Sequence, residues 1–417
     1  MSESGENSVN KPIQFRIIVG SYEHNLLCLS LILNKSLTPI FQPIFHFQAH
    51  SLSIRCVDLA KRYLVSGGND EHIKIYDLQK RKELGTLLSH SGSITTLEFS
   101  SEAPLKDQSS KLDNKDNLEK SGKWLLSGSD DGNIIIWRTK DWEIFGTLKG
   151  HTARVNDLAI HPSGRVAVSV SDDKTIKLWN LMTAKKASTL KMKGKDTLGQ
   201  SGQFVEWSKN GNEFVVGLLN KILIYQTTNA KIFKFLKFKS TLMKLLIAVI
   251  DNVEYLITAH NNGSIIFNDL KSILNLEDEE IDLDSLTPGF KLVGHSNRVK
   301  DFRIYEDHQT STKFLISISS DGKIVVWDLS IKDQVAVYDT GERLNCCCVV
   351  SENVEKFDSM KRRYEEANEE GENAGGIESE YETDGEEIKK IMNGNMNSRQ
   401  RKKNKKHKMS KVTVELE

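Results

Sequence analysis

The sequence has few cysteines and no net charge, and it lacks long hydrophobic runs. Lysine and arginine together number 57, as do aspartate and glutamate, so no overall field points to a nucleic acid or a membrane. No apolar run is long enough to cross a bilayer, and the polar first residues contain no secretion signal. The five cysteines are therefore expected to be reduced thiols in an intracellular protein.

Catalytic and cofactor motifs are missing as well. The consecutive cysteines Cys346, Cys347 and Cys348 lack the paired spacing of a zinc site. No P-loop and no dinucleotide-binding fingerprint occurs anywhere in the chain. We therefore expect a protein with no metal, no cofactor and no enzymatic activity.

What the sequence does contain is a repeated unit, seen most clearly in residues 150–181. This stretch opens with Gly150-His151, ends on Trp179-Asn180, and holds three β-branched runs separated by turns rich in Pro, Gly and Asp. Such runs predict short strands joined by tight turns. The Gly-His opening and the Trp-Asp-like end resemble one blade of a WD-repeat propeller. One blade cannot bury both of its faces alone, so further copies are expected.

The unit recurs after His50, His90 and His295, which gives four clear blades with the stretch above. Residues 203–227 and 242–270 have the strands of two weaker blades. A seventh blade is split: residues 343–350 supply its first strand, 13–31 its second and third, and 43–50 its fourth. The sequence therefore predicts an all-β, seven-bladed WD-repeat β-propeller, closed by pairing of its N- and C-terminal strands so that no sheet edge stays open.

The remaining segments differ in composition from the repeats. Residues 1–12 are predicted to be a flexible N-terminus, residues 13–350 the propeller, and residues 351–417 a disordered tail that is acidic and then basic. Two polar inserts interrupt the array. Residues 100–122 fall between the first two strands of blade 2, and the acidic residues 271–288 precede the fourth strand of blade 5. We expect both inserts to be mobile surface loops.

The clear blades share a His, a Ser, an Asp and an aromatic residue at matched offsets. A hydrolase triad would occur once, whereas this set occurs four times, so it predicts a buried structural chain from Trp to Ser to His to Asp. The four sets are His50, Ser66, Asp70 and Tyr76; His90, Ser127, Asp131 and Trp137; His151, Ser169, Asp173 and Trp179; and His295, Ser317, Asp321 and Trp327.

Two basic stretches are candidates for partner binding. A block in the tail predicts nuclear or nucleolar targeting, and RNA contact could overlap it. It consists of Arg399, Arg401, Lys402, Lys403, Lys405, Lys406 and Lys408. In the second stretch, Lys231, Lys234, Lys237 and Lys239 are interleaved with apolar residues. That stretch is either a strand with one wet and one buried face or a basic stripe for an acidic or RNA partner.

Residues 47–99 and 124–187 carry a narrower resemblance, in segments such as SIRCVDLAKRYLVSGGNDEHIKIYDL and SVSDDKTIKLWNL. They resemble the family of the yeast maintenance-of-killer WD-repeat protein and the animal WD-repeat protein that binds Rac-activated kinase, and this chain resembles a fungal member. The resemblance implies a nucleolar factor in assembly of the large (60S) ribosomal subunit. It implies binding to a ribosomal-like assembly protein on the pre-60S particle.

We therefore expect a non-enzymatic scaffold in the nucleus and nucleolus, a monomer within a larger complex that touches no membrane. Contact of the basic tail with pre-rRNA stays open. Two alternatives remain. One is a negative regulator that binds a Rac-activated-type kinase, as the resemblance to the animal protein implies, and the other is a substrate receptor of a ubiquitin ligase.

Overall fold

The computed structural model describes residues 12–34, 38–101, 120–192, 194–307 and 310–354, which lie within one compact unit, Met1–Glu355. Seven sheets are arranged as the blades of a ring, and each is built on four antiparallel strands; one sheet has an additional strand, described below. The predicted seven-bladed β-propeller is confirmed. The tail residues predicted for targeting or RNA contact, Arg399 to Lys408, lie outside the described residues.

The strands, in chain order, are β1 (Ile13–Ser21), β2 (Asn25–Leu33), β3 (Pro39–Gln48), β4 (Ile54–Ala60), β5 (Tyr63–Gly68), β6 (Ile73–Asp77), β7 (Lys82–Leu87), β8 (Ile94–Phe99), β9 (Trp124–Ser129), β10 (Ile134–Arg138), β11 (Glu143–Leu148), β12 (Val155–Ile160), β13 (Val166–Ser171), β14 (Thr175–Asn180), β15 (Lys185–Lys191), β16 (Phe204–Trp207), β17 (Glu213–Gly217), β18 (Lys221–Gln226), β19 (Ile232–Lys237), β20 (Leu242–Ile250), β21 (Val253–His260), β22 (Ser264–Asp269), β23 (Glu280–Asp282), β24 (Phe290–Val293), β25 (Val299–Glu306), β26 (Lys313–Ser319), β27 (Lys323–Asp328), β28 (Asp333–Asp339) and β29 (Leu344–Ser351). The helices are α1 (Gly194–Thr197), α2 (Leu270–Asn275) and one turn of 3-10 helix, Glu352–Val354.

Blades 1 to 6 follow the chain. Blade 1 is β4 to β7, blade 2 is β8 to β11, blade 3 is β12 to β15, and blade 4 is built on β16 to β19. Blade 5 is β20, β21, β22 and β24, and blade 6 is β25 to β28. The first strand of each blade is the innermost, and neighbouring inner strands pack beside one another around a central channel.

Blade 7 combines both ends of the propeller and closes the ring. Its strand order is β29, β1, β2, β3, and β29 pairs antiparallel with β1, with Cys347 opposite Val19 and Val349 opposite Ile17. Alternate residues of a strand point to opposite faces. Ile17 and Val19 accordingly pack towards blade 6, while Ile18 packs towards blade 1. The predicted closure by the N- and C-terminal strands is confirmed.

The core is divided among the contacts between blades. The described residues form seven apolar clusters, one at each blade–blade interface. At the interface of blades 6 and 7, Phe15 and Phe314 are fully buried with ring centroids 5.7 Å apart. Burial of one such side chain contributes about 1.5–3 kcal/mol, so every interface contributes to holding the ring closed.

The acidic insert, residues 271–288, differs from the expected mobile loop. It contains most of α2 and all of β23, and β23 pairs in parallel with β19, so blade 4 has a fifth strand. Asp269 caps α2 by accepting a hydrogen bond from Lys271 N at 3.0 Å. Ile281 is only 5% exposed because it packs in the core between blades 4 and 5. Of the other insert, residues 102–119 lie outside the described residues.

The propeller also extends beyond the expected boundary at residue 350. Strand β29 runs to Ser351, and the 3-10 turn Glu352–Val354 follows it. The Glu352 carboxylate accepts hydrogen bonds from Arg16 Nη2 at 2.6 Å and from Ser30 Oγ at 3.0 Å. Because Arg16 is 1% exposed, a charged partner at this position satisfies a cation that would otherwise be buried at high cost.

Candidate functional site: blade hydrogen bonds and the central channel

The His–Ser–Asp–Trp set of blade 3 forms one continuous hydrogen-bond chain. Trp179 Nε1 donates to Ser169 Oγ at 2.8 Å, and Ser169 Oγ lies 2.8 Å from His151 Nε2. His151 Nδ1 is 2.9 Å from the Asp173 carboxylate. The chain links strands β13 and β14 to the loop before β12, so it fixes the loops at one end of the blade.

Blade 2 repeats this arrangement. Trp137 Nε1 donates to Ser127 Oγ at 2.8 Å, which lies 2.8 Å from His90 Nε2. His90 Nδ1 is 3.2 Å from Asp131. The four residues of this set are therefore brought together as the sequence predicts.

Blade 1 keeps three members of the chain and changes the fourth. His50 lies 2.7 Å from Ser66 Oγ and 2.9 Å from Asp70. Tyr76 stands where the other clear blades have Trp, so no indole N–H is available to donate to Ser66. The Tyr76 ring instead packs against Phe47, with centroids 5.7 Å apart.

Blade 6 has the indole link but a long His–Asp separation. Trp327 Nε1 donates to Ser317 Oγ at 2.9 Å, and Ser317 Oγ is 2.8 Å from His295 Nε2. His295 Nδ1 is 3.7 Å from Asp321, which is too far for a hydrogen bond. Asp321 accepts instead from the backbone N–H and the hydroxyl of Ser296, at 3.2 and 3.1 Å.

The four sets share their electrostatics. Burial lowers the pKa of His50, His90, His151 and His295 despite the opposing carboxylates, so the rings are neutral and can donate through Nδ1. The hydroxyls they contact belong to fully buried serines, Ser66, Ser127, Ser169 and Ser317. A nucleophile must reach its substrate, and these four hydroxyls are closed off from solvent.

The aspartate of blade 3 is the most strongly perturbed acid in these sets. Burial acts to raise the pKa of Asp173, but hydrogen bonds from Thr175, His151 and the Thr152 backbone outweigh it and lower the pKa to about 2. Thr175 Oγ1 donates to Asp173 at 2.6 Å. The carboxylate is therefore fully ionised at neutral pH and accepts the whole set of bonds.

Blade 5 has a substitute chain that the repeat pattern does not reveal. His260 Nδ1 lies 2.8 Å from Ser240 Oγ, and His260 Nε2 lies 3.0 Å from Thr258 Oγ1. Burial lowers the pKa of His260 to about 4. Asn268 occupies the Trp position, and Phe267, one residue before it, stacks on Phe290 with centroids 4.0 Å apart. The signal in the sequence is the His that ends β21, at the position of Ser129 and Ser171 in blades 2 and 3, while Asn262 takes the position of the Asp.

The basic stretch predicted as a partner surface contacts the acidic insert, which covers one of its four lysines. Lys234, in β19, is 3% exposed, and its Nζ donates to the carbonyl oxygens of Leu276 and Asp278, the latter at 2.7 Å. Lys234 thus points to the buried side of the strand, and the expectation that it lies on an open stripe is wrong.

The other three lysines are affected unequally. Lys237 forms an ion pair with Glu280, and the backbone N–H of Lys239 donates to Asp284 at 2.9 Å. Lys231 and Lys239 are exposed. The sequence could not show this arrangement because the complementary charges come from a segment about 40 residues further along the chain.

The central channel has a volume of about 640 Å³ and is lined by the inner strands. Three aspartates on those strands each accept a hydrogen bond from the next blade. Asp58 accepts from Phe99 N at 2.7 Å, Asp157 from Val205 N at 3.2 Å, and Asp301 from Cys347 N at 3.0 Å. Sequence reasoning missed these residues. Asp157 and Asp301 occupy the same position of their strands, whereas Asp58 lies two residues further along β4, where Cys56 takes the equivalent position.

The middle of the channel contains a mixed set of charges. Burial acts to lower the pKa of Lys244, but the carboxylates of Asp301 and Asp157 outweigh it and raise that pKa. Burial raises the pKa of Glu206 to about 7 and that of Glu98 well above its ordinary value. Lys244 therefore acts as a shared counterion for carboxylates from several blades.

Two further observations bear on the kind of site. Within the described ranges there is no group of three or more His, Cys, Asp or Glu side chains placed to hold a metal ion. No helix in the part of the chain that the structure describes is long and apolar enough to span a membrane.

The chain matches the family model of the WD domain, G-beta repeat, over residues 41–77, 117–138, 142–180 and 286–328. Together with the seven closed blades, this match defines a WD-repeat β-propeller. Proteins of this class typically serve as non-catalytic scaffolds, and function is then carried by the surfaces that each member presents.

Comparison with known proteins narrows the class. The chain is 50% identical over 420 residues to Protein MAK11 of Saccharomyces cerevisiae, covering 97% of this chain and 98% of that protein. It is 31% identical over 344 residues to p21-activated protein kinase-interacting protein 1-like of Gallus gallus, covering 80% and 79%. It is 25% identical over 378 residues to Shk1 kinase-binding protein 15 of Schizosaccharomyces pombe, covering 88% and 95%. The chain belongs to the WD-repeat family of Protein MAK11 and the p21-activated protein kinase-interacting proteins, which confirms the resemblance seen in the sequence.

Proposed function

We propose that the protein is a non-enzymatic scaffold in assembly of the large ribosomal subunit. The observation that supports a scaffold is the burial of the four repeated serines, Ser66, Ser127, Ser169 and Ser317, which belong to the strongest catalysis-like constellation seen in the sequence. The ribosomal role follows the family resemblance in residues 47–99 and 124–187 and the basic block near the C-terminus. The partner is a ribosomal-like assembly protein on the pre-60S particle, and the basic block can add contact with pre-rRNA.

The test is sedimentation of a lysate that contains the tagged protein, before and after its depletion. We expect co-migration with precursors of the large subunit, and loss of free large subunits on depletion. Migration only at the top of the gradient, with unchanged ribosome profiles, would contradict the proposal. An unrelated propeller with the same tag controls for adsorption to ribosomes.

We also propose that the protein acts in the nucleus and nucleolus. The basis is the block of seven basic residues between Arg399 and Lys408. A variant with these seven residues replaced by Gln should lose nucleolar fluorescence. Its matched control replaces seven lysines on the outer surface of the propeller and should keep the localisation. Exclusion of the unmodified protein from the nucleolus would contradict the proposal.

Kinase binding is a second candidate, favoured by the names of two relatives. One is described as p21-activated protein kinase-interacting and the other as Shk1 kinase-binding. If this chain shares that property, a p21-activated-type kinase should be retained on the immobilised full-length protein and its activity should fall. Retention equal to that on an unrelated propeller would remove this candidate.

A further inference from the structure

We propose that one mouth of the central channel binds an extended, acidic segment of the partner protein. This proposal rests on the scaffold function above and specifies the chemistry of its partner. The channel mouth is defined here by five cations: Arg55, Arg154, Arg298, Lys300 and Arg343. They come from blades 1, 3, 6 and 7, and each is half-buried.

The topology of the ring places these residues at one end of the channel. Arg55 and Lys300 are the second residues of β4 and β25, while Arg154, Arg298 and Arg343 directly precede β12, β25 and β29. All inner strands run in the same direction along the channel because every blade has the same strand order.

Adjacent blades are joined directly at this end. Asn345 Nδ2, near the start of β29, donates to Ile54 O, at the start of β4, at 2.9 Å and across 291 residues of sequence. Arg55 follows Ile54 directly and Arg343 lies two residues before Asn345, so both lie at this end of neighbouring inner strands.

The five cations have few acidic partners. Arg154 Nε lies 3.2 Å from Asp130, and that carboxylate also acts on Arg55. Glu23 accepts a hydrogen bond from the backbone N–H of Arg343 at 3.1 Å.

Lys300 lacks even these contacts. Among the described residues, no carboxylate lies within 4.0 Å of its Nζ. Burial, together with the guanidinium groups of Arg298, Arg343 and Arg55, lowers the pKa of Lys300 to about 8. The carboxylates deeper in the channel, Asp157, Asp301, Glu206 and Glu98, are fewer than the cations that line it. The mouth thus keeps an excess of positive charge, and a bound anion would relieve the repulsion.

The shape of the recess favours a polypeptide over a nucleic acid. Phosphate backbones are contacted by basic side chains spread along an exposed surface. The cations here are half-buried at the entrance to a channel, where a single extended chain can place Asp and Glu side chains. Arginine forms paired hydrogen bonds with such carboxylates, and the three guanidinium groups of Arg55, Arg298 and Arg343 are suited to this geometry.

An apolar rim adjoins the charges. Tyr22 is 54% exposed, lines the channel, and has the Arg343 guanidinium carbon 5.3 Å from its ring centroid. Leu52, in the loop just before β4, is 49% exposed. Tyrosine and arginine are among the residues that contribute most to binding in protein interfaces. We therefore expect the bound segment to combine acidic residues with a neighbouring large apolar one.

The experiment measures binding of a fluorescent acidic peptide to the full-length protein by anisotropy. The probe is a 12-residue peptide of alternating Asp and Glu with one Leu, and its matched controls are the Asn/Gln analogue and a single-stranded RNA of 12 nucleotides. The test variant is Arg55→Gln/Lys300→Gln/Arg343→Gln. The matched variant, Lys80→Gln/Lys140→Gln/Lys185→Gln, removes the same charge from exposed positions elsewhere.

We expect the acidic peptide to bind the unmodified protein in a salt-dependent way, and the test variant to weaken binding by about tenfold or more. The matched variant should change it by less than about twofold, as expected for exposed, screened charges. Absence of peptide binding, an equal loss in both variants, or tighter binding of the RNA at the same residues would overturn the proposal. A thermal melt of each variant verifies folding; removing like charges should not lower the melting temperature.

Sedimentation with pre-ribosomal particles separates this proposal from the scaffold function. Co-migration without peptide binding would overturn the acidic-segment proposal alone. Peptide binding without co-migration would overturn the ribosomal role alone.

Discussion

The His–Asp link is the part of the blade hydrogen-bond chain that the structure allows to be tested quantitatively, because it differs between two blades. In blade 3, Asp173 lies 2.9 Å from His151 Nδ1 and also accepts from Thr152 N, Thr175 N and Thr175 Oγ1. In blade 6, Asp321 is 3.7 Å from His295 Nδ1.

The remaining bonds of the blade 6 aspartate resemble those of blade 3. Asp321 accepts from Ser296 N, Ser296 Oγ and Lys323 N. The two aspartates therefore differ mainly in the bond to histidine. A hydrogen bond to a charged group contributes about 1.5–3 kcal/mol.

The perturbation is a pair of double-mutant cycles. His151→Ala and Asp173→Ala should show a coupling of about 1.5–3 kcal/mol, whereas His295→Ala and Asp321→Ala should show about 0.5 kcal/mol or less. The assay is urea unfolding of the four single and two double variants, with free energies from linear extrapolation. Equal coupling in the two blades, or a larger value in blade 6, would refute the assignment of this energy to the His–Asp bond.

Three further predictions concern the ring, the insert and the channel mouth. Deleting residues 343–350 removes the inner strand of blade 7 and should cause unfolding or aggregation, measured by light scattering after size exclusion; a monomer with unchanged melting would contradict this. Lys234→Ala should increase protease cleavage within residues 271–288, because two carbonyl oxygens of the insert lose their hydrogen-bond donor. The control, Lys231→Ala at an exposed position, should leave cleavage unchanged. Equal cleavage rates in the two variants would show that Lys234 does not hold the insert. The folded-state pKa of Lys300, about 8, lies below its ordinary 10.5, so between these pH values the unfolded chain binds more protons and stability should rise with pH. Lys300→Met should remove this rise in melting temperature between pH 7.5 and 10. An unchanged dependence of melting temperature on pH would contradict the charge assignment.

The blades and their closure could be predicted because each strand carries its own local signal. Residues 13–31 have the same pattern of apolar runs and turn residues as the second and third strands of a clear blade, and residues 343–350 form an apolar run of strand length. Both signals are local, so they can be recognised even though blade 7 is assembled from two distant segments of the chain. Even the two weak blades were found in this way, since β-branched runs between turns do not depend on the tetrad.

The fifth strand of blade 4 and the channel mouth could not be predicted in this way. Strand β23 has three residues with only Ile281 apolar, which is too short to show a period of two. The alternation around Lys234 did indicate a strand with one buried face, but it could not say which face the insert would cover. Nothing in the sequence around Arg55 and Lys300 distinguishes them from other arginines and lysines. Only the closure of the ring brings them to the same end of the channel.

The split blade has a consequence for synthesis of the chain. Gly20, in β1, lies beside Cys346, in β29, and 326 residues separate them. At about 5–20 residues per second, a ribosome needs roughly 15–65 s to make the intervening chain. During that interval one edge of β1 has no partner from blade 7. Completion of the fold therefore waits for translation of the last strand, and any pause after blade 6 lengthens the period in which this edge of β1 can pair with another chain.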